Sequence, residues 1–173
     1  MAGTILLRPM EVEIGGLTVD ELKLRLSSAG VQLNDYAQLL MRHPLFERAS
    51  DPKKITVRSY SVEELGVRTA ATLPRIYEQA QGMGLELCPA VTGPYLRLAF
   101  MGQESSSNSI LSAGRKPADS LTIASPSLGD DSYPKGFYLR AVDSVPWLRG
   151  YRCDDAYEFS AEDRFIFQAP ILE

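Results

Sequence analysis

The chain is poor in the groups that most enzymes rely on. Its 173 residues include one histidine, two cysteines and one tryptophan. The lone His43 excludes the paired imidazoles of a zincin, and two thiols fall short of a cysteine-based zinc site. No Gly-x-x-x-x-Gly-Lys-Ser/Thr run occurs, which removes a P-loop. Gly82-Met83-Gly84 lacks a third glycine and closes a helical pattern instead of opening one, so it is no dinucleotide fingerprint. A Gly-x-Ser-x-Gly elbow and an EF-hand loop are missing too. No cofactor is expected. Any chemistry would fall to carboxylates, lysines or tyrosines.

Long apolar runs are also absent. No stretch approaches the ~20 residues that span a bilayer, and Ile5-Leu6-Leu7 is too short for a signal peptide's apolar region. Ala2 stands where myristoylation needs glycine. These features predict a cytoplasmic chain without membrane attachment, with Cys88 and Cys153 as free buried thiols. Eighteen Lys+Arg against 22 Asp+Glu leave a net charge of −4. Such a surface repels polyanions, so nucleic acid is not an expected partner without a local basic patch. What remains is ordinary globular material, 45% apolar and 23% charged.

Local patterns divide the chain into a helix-rich first half and a strand-rich second. Val12 and Ile14 continue the period-two spacing of Ile5 and Leu7, an extended opening. Thr18 and Glu21 form a capping box ahead of Leu22, Leu26 and Ala29, and Gly30 ends that helix. Asn34 caps a second helix running to about His43, where Pro44 stops it. Together these predict a helical hairpin over 16–46. A polar linker, 47–54, follows. Ile55–Tyr60 alternates as a strand, Ser61 and Glu64 form another capping box, and Thr72 with Pro74 opens a third helix. Strands are predicted at 85–88, 95–100, 121–124, 137–142, 147–151 and 164–168. Residues 104–120 hold six serines in 17 positions and read as a mobile loop. The fold class is α+β: one domain over 1–173, in which the hairpin and one further helix pack on a mainly antiparallel sheet spanning 55–173.

The densest candidate site is Trp147-Leu148-Arg149-Gly150-Tyr151. On a strand Trp147, Arg149 and Tyr151 share one face, and aromatics flanking a guanidinium can hold an anion, a base or a sugar ring. The bland reading is a cross-strand stack with Arg149 paired to a carboxylate. Arg97 and Arg140 lie inside strand patterns opposite the large apolar residues, and would add to a basic patch if those faces align. Two acidic pairs, Asp130-Asp131 and Asp154-Asp155, could converge on a divalent cation or form an acid/base couple. Read blandly, they are turn formers. His43 reads as a helix-end residue.

Two resemblances extend this reading. Leu17–Val31 resembles the first half of a SAP motif, whose family binds DNA through a helical hairpin. Leu33-Asn34-Asp35-Tyr36-Ala37-Gln38-Leu39-Leu40 departs from the lysine-rich second helix of that family, removing the electrostatic reason to expect DNA. Stretches around Gly16-Leu17-Thr18, Val31–Ala37, Leu85–Pro89, Gly93–Leu98, Trp147-Leu148 and Asp163–Phe167 resemble a group of uncharacterised bacterial proteins. That likeness implies a bacterial, cytosolic origin and no particular activity. The sequence therefore points to a non-enzymatic binding or adaptor module, with a protein or small ligand as partner. The alternatives are a metal-assisted or carboxylate-based hydrolase and a DNA-binding accessory protein.

Overall fold

A computed structural model describes residues 8–47, 49–103 and 120–169. The predicted Ile5/Leu7 extension and all but the last residue of the Ser-rich stretch lie outside these residues. The strands are β1 Met10–Ile14, β2 Gln32–Leu33, β3 Lys53–Ser61, β4 Ala71–Thr72, β5 Leu121–Ile123, β6 Gly136–Val142, β7 Val145–Tyr151, β8 Glu158–Phe159 and β9 Arg164–Gln168. The α-helices are α1 Val19–Ser28, α2 Asp35–Met41, α3 Leu73–Gly82 and α4 Thr92–Ala99.

Seven strands form one sheet in the order β1-β3-β9-β5-β6-β7-β2, and β4 pairs with β8 in a separate ribbon. The α+β class holds, but the large sheet is mixed. Its β1–β3, β3–β9, β5–β6 and β6–β7 ladders are antiparallel, whereas β5 runs parallel to β9 and β2 parallel to β7.

Strand alternation puts two apolar layers on the sheet. Phe137, Leu139, Leu148 and Ile166 join Leu22, Leu26, Leu40 and Leu96 of α1, α2 and α4 in one cluster. Tyr138, Tyr151, Phe165 and Phe167 join Leu73, Ile76 and Ala80 of α3 and its entry in the other, with Phe159 of β8. On this second side the rings meet edge to face, Phe159 against Phe165 at 5.1 Å between centroids and Tyr77 against Phe167 at 6.0 Å.

Several sequence expectations need correction. Both helices of the predicted N-terminal hairpin form, but the segment joining them carries β2, which pairs with Trp147 and Leu148 of β7. The caps themselves form as expected. Thr18 N–H donates to Glu21 Oε1 at 2.9 Å, and Glu21 N–H to Thr18 Oγ1 at 3.2 Å. His43 lies beyond α2 and caps the 3₁₀ turn Pro44–Phe46, its Nδ1 accepting from Leu45 N–H at 3.0 Å.

The predicted 47–54 linker is shorter than read, because Lys53 and Lys54 already belong to β3 and pair with Ile14 and Glu13. Residues 85–88 form only an isolated bridge, Glu86 with Gln168.

The largest correction is 95–100, which is helix α4 and not a strand. Thr92, Gly93, Pro94, Tyr95, Leu96 and Arg97 are all buried, so no polar stripe marks its 3.6-residue period. Pro94 falls in the first turn, where a missing N–H is tolerated. The close seat of α4 on the sheet is visible at Gly93, where an added Cβ would come within 2.5 Å of the Phe137 ring.

Candidate functional site

Strands β6 and β7 form a hairpin joined by Asp143 and Ser144, whose φ angles of 51° and 66° are both left-handed. That is the backbone of a two-residue I′ turn, whose twist matches paired strands. It sets the register Val142↔Val145, Arg140↔Trp147, Tyr138↔Arg149 and Gly136↔Tyr151. Every second residue shares a face, so Tyr138, Arg140, Trp147, Arg149 and Tyr151 stand together on the α3 side of the sheet.

Arg149 is the centre of this group. Its Nε donates to Tyr138 Oη at 2.9 Å, and its guanidinium carbon lies 4.9 Å from the centroid of the Trp147 ring. One contact holds the edge of the guanidinium and the other places its carbon over the ring, a cation–π arrangement worth about 1 kcal/mol when partly exposed. Trp147 and Arg149 are both half-buried. Burial depresses Arg140, the Tyr138 phenol favours its charged form, and Arg149 disfavours it. The two cations therefore act on each other across the hairpin.

The remaining candidates sit elsewhere or deeper than the sequence suggests. Tyr151 is buried. Its phenol hydrogen-bonds that of Tyr77, and burial raises both hydroxyls above the ordinary tyrosine range, so neither serves as a base near neutrality. Arg140 shares the Arg149 face but is only 2% exposed, not solvent-facing.

Arg97 is not on that face at all. It is fully buried on α4, where Nη1 donates to Gln103 Oε1 at 2.7 Å, Trp147 O at 3.2 Å and Arg140 O at 3.4 Å, and Nη2 donates to Phe100 O. Desolvation pushes it down to about 10, which still leaves it charged at neutral pH. Among the described residues no carboxylate pairs with it. Arg97 thus holds sheet and helix together from inside and offers nothing to a ligand.

The acidic pairs split. Asp130 accepts from Ser132 N–H at 2.9 Å and Ser132 Oγ–H at 2.6 Å, and Asp154 accepts from Ala156 and Tyr157 N–H at 3.0 and 2.8 Å. These are local turn bonds. Asp131 and Asp155 do converge, but on Lys135, whose Nζ lies 3.1 and 3.8 Å from them. The ion triad closes the 130–135 loop against the 152–157 loop. Among the described residues no group of three or more His, Cys, Asp and Glu is placed to hold a metal.

The two thiols differ sharply. Cys88 is buried, lies 3.7 Å from Ile166 O and is pushed up to about 12 by desolvation, whereas Cys153 is half-exposed. Reactivity follows thiolate fraction and access. A thiol reagent should titrate one cysteine per native chain and two after denaturation, with Cys153→Ser abolishing the native signal. Two native equivalents would contradict the packing around Cys88.

The sequence reading missed Tyr138 and Lys135. Tyr138 could have been found: folding Val142 back on Val145 across Asp143-Ser144 places it opposite Arg149. Lys135 carried no such signal, because its partners come from two loops whose approach depends on the whole sheet.

Among the described residues no helix is long and apolar enough to cross a membrane. The chain matches no family model, no curated protein and no solved structure.

Proposed function

We propose that this protein is a non-enzymatic binding module whose working surface is the β6–β7 face around Trp147 and Arg149. The observation that carries this reading is the held guanidinium, with its Nε on Tyr138 and its carbon over the ring of the only tryptophan of the chain. Aromatic and arginine side chains are the types that concentrate binding energy at interfaces. The hydrolase alternative finds no support in the acidic pairs, since Asp130 and Asp154 bond locally and Asp131 and Asp155 neutralise Lys135. The DNA-binding alternative would need a projecting hairpin, whereas α2 is tied to β7 through Asn34 and Gly150.

A thermal-shift screen of the full chain against mixed metabolite and peptide libraries tests the proposal. Ligands that raise the melting temperature should lose their effect on Trp147→Ala and keep it on Leu24→Ala, a change at an exposed position on α1. Turnover of a library compound, or ligands that stabilise Trp147→Ala equally, would overturn the proposal, as would a screen without any ligand.

A further inference from the structure

We infer that the group read by this face is a carboxylate on a peptide segment of a partner protein, taken by the outer edge of Arg149 and flanked by an apolar side chain seated toward the hairpin tip. The inference rests on the binding-module reading and adds the chemistry of what is bound.

Arg149 supplies the first argument. Of its three nitrogens Nε donates to Tyr138, and the two terminal nitrogens have no hydrogen-bond partner among the described residues. No carboxylate of the described residues pairs with it. A guanidinium pinned at Nε and stacked on a ring has lost most of its rotational freedom already. What it presents is a planar pair of donors, the shape that accepts a carboxylate bidentately.

The order of residues along the face supplies the second. Beginning at the turn, the paired positions are Val142 with Val145, then Arg140 with Trp147, then Tyr138 with Arg149. Val145 is an exposed apolar residue, and Val142 and Trp147 are half-buried. The surface therefore changes from apolar at the tip to cationic two residue pairs further in. A strand rises about 3.3 Å per residue, so the four residues from Val145 to Arg149 span roughly 13 Å. That distance suits an acidic residue and an apolar residue four positions apart on one extended peptide, where alternate side chains share a face.

Charge decides between oxyanions. The chain carries a net charge of −4, so a dianion meets about twice the long-range repulsion of a monoanion. A single fork of two nitrogens matches one carboxylate, and the apolar tip gives nothing to a free ion. A peptide carboxylate is favoured over phosphate on both counts.

Three probes, titrated into the full-length protein while Trp147 emission is followed, test the inference. They are a capped pentapeptide with leucine at position 1, aspartate at position 5 and alanine between them, so that both side chains share a face when extended, its leucine–asparagine counterpart, and inorganic phosphate. The aspartate peptide should shift the emission and bind about 10–100-fold tighter than the asparagine peptide, the worth of a charge-assisted pair. Arg149→Gln should abolish that preference. Arg149→Lys should recover only a minor part of it, because a lysine lacks the fork. Tyr138→Phe keeps the charge and frees Nε, and should weaken the aspartate peptide several-fold. Melting curves of each variant establish that it is folded.

Equal binding of the two peptides with a Trp147 response would refute the carboxylate and leave the binding face standing. Phosphate binding tighter than the aspartate peptide would refute the peptide source. An unchanged preference in folded Arg149→Gln, or no response to any probe, would refute the inference outright. The binding-module reading is decided separately, by the library screen.

Discussion

Replacing Arg97 with methionine is expected to destabilise the protein by roughly 3–5 kcal/mol, although methionine matches the apolar surroundings better. The side chain serves four acceptors at once: Gln103 Oε1, Phe100 O, Arg140 O and Trp147 O. Each buried oxygen left without a donor costs about 1–3 kcal/mol, which applies to Gln103 Oε1 and Phe100 O, whereas Arg140 and Trp147 face each other in the β6–β7 ladder and the contact to Trp147 O is part-buried. The loss is not confined to one element. Phe100 O belongs to the end of α4, Arg140 O and Trp147 O to adjacent strands, and Gln103 in turn donates to Leu139 O at 3.0 Å. Strand β5 reaches only to Leu139 along β6, so the Gln103 amide occupies a carbonyl at the point where that ladder stops.

Lysine at the same position keeps the charge but has one compact head for sites spread around a planar fork. Arg97→Lys should therefore recover less than half of the loss in denaturant unfolding. A methionine variant as stable as the parent would mean that the carbonyls find other donors, and the central role given to Arg97 would be wrong.

Alanine at position 150 should be nearly as costly, about 3 kcal/mol, for a different reason. Its Cβ would lie 2.7 Å from the carbonyl carbon of Tyr36 and 2.9 Å from the nitrogen of Ala37. Both are backbone atoms at the start of α2, so relief requires moving the helix. Moving it breaks a fitted contact. Asn34 donates through Nδ2 to Gly150 O at 3.0 Å, and its Oδ1 accepts from Gly150 N–H at 2.8 Å and from Ala37 N–H at 2.9 Å.

One side chain thus caps α2 and extends the edge of β7. Asn34→Ala removes the cap and both edge bonds, for about 2–3 kcal/mol. Because the two changes break the same docking, the double variant should cost clearly less than the sum of the singles, by at least about 1 kcal/mol. Simple additivity would show that the cap and the glycine act independently.

These contacts mark where the sequence was legible and where it was not. Capping boxes are local, and those at Thr18 with Glu21 and Ser61 with Glu64 formed as read. Strand β3 was readable because its residues alternate, and β6, β7 and β9 because each is a short run rich in apolar and aromatic side chains. Strands β2, β4 and β8 are two residues long and exist only through their partners. Helix α4 was hidden by its own burial. A charged residue inside an apolar run reads as a solvent-facing break, so Arg97 made the segment look like an alternating strand when it was the buried centre of a helix. The pairing of Trp147 with Arg149 came from spacing alone, but the phenol that fixes the guanidinium needed the register of the hairpin.

The central claim is that an acidic chain carries one locally cationic, aromatic face, and the single tryptophan lets it be measured directly. Quenching of Trp147 emission by iodide and by caesium, at matched ionic strength, compares access of an anion and a cation to the same ring. The account predicts that iodide quenches several-fold more strongly than caesium, and that Arg149→Gln removes most of the difference. Equal quenching by the two ions, or stronger quenching by caesium as the net charge of −4 alone would give, would contradict it.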